Sequence, residues 1–165
     1  MPPTQNKSLQ ITTPSDEEIR ITRSFDAPRT MVWDAYTRPE LLKRWLGAMP
    51  GWSWAECQMD VRVGGRYRWV WRGPEGAELA VGGVYREVVP GERLVNTERY
   101  DQAWYEGEAV GTVEFTEAQG RTTLVTTLRY GSKQIRDAVL QGPATSGMEM
   151  GYAKLDELLA SSTAA

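Results

Sequence analysis

Two carboxylates stand near tyrosines at the two-residue spacing that places side chains on one side of an extended chain. In "VYREVV" Glu87 shares a side with Tyr85 and Val89, and in "LVNTERY" Glu98 shares one with Leu94, Asn96 and Tyr100. A carboxyl turned inward among phenols has two uses. It can be paired structurally with a tyrosine hydroxyl or an arginine such as Arg99, or its proton affinity can be raised until it exchanges protons near neutrality. Glu87 and Glu98 are therefore the candidate acid/base groups, with pairing or plain solvation as the alternative. Cys57 alternates with Met59 and Val61 in an apolar series, and the chain contains no histidine to activate it, so it reads as an inert buried thiol.

The same inventory excludes much chemistry. With one cysteine and no histidine, the chain offers no histidine triad, no histidine general base, no tetrahedral zinc ligand set and no internal disulfide. No metal site and no cofactor is called for, and whether the protein is an enzyme stays open.

The stretch "GGRYRWVWRG" is the third chemical candidate. Period-two alternation gathers Tyr67, Trp69 and Trp71 into one stripe and Arg66, Arg68 and Arg72 into the other. Such rings either fill a core, line a cavity, or lie outside for bases to stack on. Nineteen basic against twenty-two acidic residues give a net charge of -3, so no global field recruits nucleic acid, and the inward placement is the expectation. Trp33, Tyr36 and Trp45 upstream, and Met148 and Tyr152 downstream, converge on the same interior. Together with Tyr67, Trp69, Trp71, Glu87, Glu98 and Tyr100 they form the candidate ligand-binding set.

The elements that must position these residues can be read in order. Residues 1–16 form a polar, proline-bearing lead-in, 17–160 one domain, and 161–165 a frayed end. "EIRITRSF" alternates Ile19, Ile21, Arg23 and Phe25 against Arg20, Thr22 and Ser24, as a strand with one buried side does. Two short helices follow in "APRTMVWDAYTR" and "PELLKRWLG", opened by Pro28 and Pro39, with Gly47 as the stop. From Trp52 to Tyr130 the period is two, with glycine or proline punctuation between runs, which predicts an antiparallel meander. Gly82-Gly83 inside one run marks a bulge or sharp bend. A short helix over 132–140 and a longer amphipathic helix carrying Met148, Gly151, Tyr152, Leu155, Leu158 and Leu159 end the domain. The order β-α-α-β6-α, about seven strands, is an α+β domain whose curved sheet wraps its last helix. A start without a basic, apolar leader, no membrane-length apolar run and the lone cysteine predict a soluble, cytoplasmic protein with no membrane insertion.

Three stretches, "GGRYRWVWRGPEG", "GVYREVVPGERLV" and "SKQIRDAVLQGPATSGMEMGYAKLDELL", resemble landmarks of the START-like (SRPBCC) superfamily in its branch related to the activator of the 90-kDa heat-shock protein ATPase. "FDAPRTMVWDAYTRPELLKRWLG" is similar to that branch's first strand and helix pair. The likeness runs from about Glu17 to Leu159 and implies a helix-grip fold with a cavity between sheet and last helix, often used for apolar small molecules. Leu46, where many relatives carry a second tryptophan, and the Gly-Pro of "QGPATSGMEMGY" depart from the pattern near the expected cavity mouth. The leading expectation is binding of a small, largely apolar molecule. The alternatives are a cavity enzyme of cyclase, hydrolase or lyase type using a carboxylate and a tyrosine, and a co-chaperone-like partner of a chaperone ATPase. A homodimer is compatible with the sequence. Trp104 or Tyr105 in "DQAWYEGE" is a candidate lid.

Overall fold

A computed structural model of the protein describes residues 9–47, 49–103, 105–142 and 144–163. The first described element is a three-residue strand, β1 (Gln10–Thr12), which pairs with the next strand inside the stretch expected as lead-in. In β2 (Glu18–Phe25) the predicted alternation holds: Ile19, Ile21, Arg23 and Phe25 are all buried. Arg23 in this apolar series is satisfied rather than stranded. Its guanidinium donates to both oxygens of Asp156 on the last helix, at 3.2 and 2.6 Å, and lies over the Phe25 ring.

Helix α1 (Arg29–Thr37) starts behind Pro28, and α2 (Pro39–Leu42) carries Pro39 at its first position, where the missing N–H costs nothing. The second helix is shorter than the sequence suggests. One turn is helical, and successive turns then carry the chain to Gly47, whose φ of +73° ends it. Leu42 and Trp45 are buried all the same, because the tryptophan donates its indole N–H to the Ala35 carbonyl at 2.9 Å.

The meander follows as β3 (Ser53–Met59), β4 (Arg66–Arg72), β5 (Glu78–Val89), β6 (Arg93–Tyr100), β7 (Ala109–Ala118) and β8 (Arg121–Arg129). All strands form one antiparallel eight-stranded sheet in the order β1-β2-β8-β7-β6-β5-β4-β3. Neighbours in sequence pair throughout the meander, while β2 joins the far strand β8. Helix α3 (Lys133–Gln141) is capped by the Ser132 hydroxyl, which accepts from the Ile135 N–H. Its buried Arg136 donates to the carbonyls of Ser15 and Glu18 and ties the entry of β2 to the helix. Helix α4 (Ala144–Thr163) then lays Tyr152, Leu155, Leu158 and Leu159 into the core with Phe25, Val32, Trp45 and Leu124.

Two register shifts change which residues face inward. A bulge between Trp54 and Glu56 lets Trp54 pack on the core with Cys57 and Met59 and leaves Ala55 exposed, where strict alternation puts Ala55 inside. A second lies between Tyr85 and Glu87. The Gly82-Gly83 pair marks a different device. Any Cβ on Gly83 would collide with the Thr97 carbonyl, so the strands approach there as only glycine allows. No helix among the described residues is long and apolar enough to cross a membrane.

Candidate functional site

Between the sheet and helices α3 and α4 lies a cavity of about 610 Å³. Its walls follow from the alternation of the strands. Ile19 and Ile21 come from β2, Thr126 and Leu128 from β8, Gly111 and Val113 from β7, Asn96 and Glu98 from β6, Val81 and Tyr85 from β5, Trp69 and Trp71 from β4. Gly111 in the middle of this floor presents no side chain, and a Cβ built there would meet Leu128 only at ordinary contact distance, 3.4 Å. On the opposite side Gly147, Met148, Gly151 and Tyr152 of α4 and Val139 of α3 close the space. Gly111 in this floor and Gly147 and Gly151 on the facing helix put no side chain into the space, which leaves volume that the surrounding residues do not fill.

Of the sequence candidates, Tyr36, Trp45, Trp69, Trp71, Glu98, Tyr100, Met148 and Tyr152 all reach the cavity wall. Three do not. Trp33 sits one helical turn before Tyr36 and packs edge-on against Phe115, with ring centroids 5.3 Å apart, beyond the cavity's end. Tyr67 reaches from β4 across the glycine gap in β5 to β6: its hydroxyl donates to the Thr97 carbonyl at 2.6 Å and accepts from Asn96. That phenol is thereby committed to tying β4 to β6. Glu87 corrects the alternation reading outright, since the bulge beside it turns Val88 inward and sends Glu87 to the surface. There it is 46% exposed and pairs with Arg93 at 3.3 Å. The arginine stripe faces outward as expected, Arg68 gripping Asp101 through two hydrogen bonds.

Glu98 is the acidic group of the site. It is withdrawn from bulk water but borders the cavity, and desolvation alone pushes its carboxyl up to about 7. Tyr100, Tyr105 and Tyr130 surround it, and burial together with the Glu98 charge raises each of these phenols. Cys57 faces inward from β3, and burial raises its thiol while Lys43 partly counters the effect, so it is no ready thiolate. Among the described residues no three histidine, cysteine, aspartate or glutamate side chains gather where they could hold a metal ion.

Tyr105 and Tyr130 belong to the polar end of the cavity, their rings edge to face with centroids 6.2 Å apart. Tyr130 escaped the candidate set although Thr126, Leu128 and Tyr130 share one side of the last strand. Asn96 escaped as well, although its register with Glu98 is plain. Trp104, the other candidate lid, lies outside the described residues.

A curved antiparallel sheet closed by a C-terminal helix over an internal cavity defines the helix-grip class of the START-like superfamily. The chain belongs to the family described as activator of Hsp90 ATPase homolog 1-like protein, whose model matches residues 26–160. Its structure is similar to that of a protein from Rhodobacter sphaeroides, with 34% identity, a TM-score of 0.88, and 93% of this chain and 99% of that one covered. A Chromobacterium violaceum protein superposes with 28% identity and a TM-score of 0.71, covering 88% of this chain and 98% of its own. A Nitrosomonas europaea protein shares the fold at 24% identity and a TM-score of 0.80, with 93% and 100% covered. No curated protein matches the chain.

Proposed function

We propose that the domain binds a small, largely apolar molecule in the cavity between the sheet and α4. The observation that carries this reading is a space of about 610 Å³, within the range of small-molecule sites, walled mainly by aliphatic and aromatic side chains with a few polar groups at one end. The helix-grip fold of the family, which commonly binds ligands, agrees with it. Trp45, Trp69 and Trp71 stand in the wall, so an occupant should change tryptophan emission. Titration with a panel of apolar molecules tests the reading, alongside native mass spectrometry of protein purified from its own host. Saturable binding that is lost when the cavity is filled by substitution supports it. Absence of any bound mass and of any spectral response overturns it.

Glu98 favours a second reading, in which the cavity turns over its occupant. A carboxyl that titrates near neutrality beside phenols is equipped for proton transfer. If Glu98→Gln leaves a detected turnover unchanged, that reading fails.

A further inference from the structure

Glu98 brings the one ionisable carboxyl to the cavity wall, and no lysine or arginine stands there among the described residues. Among the described residues no hydrogen bond or ion pair reaches its carboxyl, and burial is the cause of its raised proton affinity. The titratable groups facing it are all tyrosines. Tyr100 follows it on β6, Tyr130 comes directly after β8, Tyr105 comes from the β6–β7 connection, and Tyr67 approaches from β4, each within reach of its charge. The charged neighbours in sequence point elsewhere, Arg99 being exposed and Glu108 pairing with Arg86 at the surface.

A carboxylate without a counter-ion, set among tyrosines, is costly to bury. Three kinds of occupant meet it differently. An anionic amphiphile would bring a second negative charge beside the first. A neutral one could meet only the protonated acid and would leave the ionised carboxylate unrelieved. An ammonium would supply the missing charge and gain further from the electron-rich faces of the rings.

We propose that the occupant is a largely apolar molecule bearing one protonated amine, its ammonium set against the Glu98 carboxylate and the rings of Tyr100, Tyr105 and Tyr130. This rests on the cavity being a small-molecule site and names the chemical class of its ligand. Proton linkage follows. In the empty protein Glu98 keeps its proton up to about 7, whereas an ammonium selects the ionised carboxylate, so binding expels a proton and tightens as pH rises through that value. A neutral ligand accepting a hydrogen bond from the protonated acid would show the reverse.

The test compares decylamine, decanol and decanoate, each below its aggregation limit, by tryptophan fluorescence on the intact protein. Decylamine should bind about tenfold or more tightly than decanol at about pH 8, should weaken by roughly tenfold at about pH 5.5, and decanoate should bind least. Calorimetry of decylamine binding in buffers of different ionisation enthalpy should register a released proton. Glu98→Gln should lose both the preference for decylamine over decanol and its pH dependence. Should that variant fail to fold, the proton release of the unaltered protein decides alone. Equal affinity for amine and alcohol, no proton release, or tighter binding of decanoate overturns the amine assignment while leaving the cavity reading intact. Silence from all three probes overturns the cavity reading and this one with it.

Discussion

Tyr36 on α1 and Tyr152 on α4 meet hydroxyl to hydroxyl at 3.0 Å, in the wall of the cavity and away from bulk water. Around them Tyr152 packs edge-on against Phe25 and stacks with Trp45, so the hydroxyl pair is the polar pin of an otherwise aromatic contact between two helices. Tyr36→Phe and Tyr152→Phe should each cost about 1 kcal/mol, and the double substitution clearly less than their sum, because the second change removes a hydroxyl already deprived of its partner. Denaturant midpoints of the four proteins measure this coupling.

The Arg23–Asp156 pair joins β2 to α4, with Arg23 only 6% exposed and Asp156 24%. Asp156→Ala leaves a buried guanidinium with the Ser24 carbonyl as its remaining acceptor, and should destabilise the fold by about 2 kcal/mol. Replacing both partners by apolar residues, as in Arg23→Met with Asp156→Leu, should recover most of that loss. Chemical denaturation of the single and double variants checks it.

Glu98 makes stability depend on pH in an uncommon direction for a carboxylate. Its folded value near 7 exceeds the ordinary 4.5, so between those two values the folded protein holds a proton that the unfolded chain has released. Stability from this group is therefore greatest below about 4.5 and is lost as pH rises to about 7, by up to roughly 3 kcal/mol. Glu98→Gln should abolish this slope and be the more stable protein at about pH 8. Unfolding free energies across the range, for both proteins, give the answer.

Gly83 and Gly111 should respond oppositely to added bulk. Gly83→Ala drives a methyl into the Thr97 carbonyl and should cost about 2 kcal/mol or more, since backbone on both sides must move. Gly111→Val points its methyls into the cavity, and should raise stability by about 1 kcal/mol while weakening probe binding. Thermal melts together with a probe titration separate the two effects.

The buried side of β2, the helix pair and the inward face of β6 were legible because one residue in two, or one turn in another, meets the core. Glu87 was not. A bulge adds one residue to one strand, and nothing in "YREVV" tells which of its residues is the extra one, yet everything beyond it changes face. Trp54 and Ala55 traded places for the same reason. Gln10–Thr12 is too short to show a period. The cavity itself lies beyond a one-dimensional pattern. Trp33 and Trp71 are equally apolar, and only packing decides that one is spent on Phe115 while the other borders open space.

The pairing of β2 with β8 dictates the order in which the molecule can assemble. Glu18 faces Arg129 and Phe25 faces Thr122, so the second strand's main partner is made about a hundred residues after it. The hairpins from β3 to β8 can zip one upon the next, each closing a short loop, but the sheet cannot take in β2 until β8 has been made. Docking of β2 on the sheet must wait on β8, so that long-range closure should weigh heavily in the folding rate.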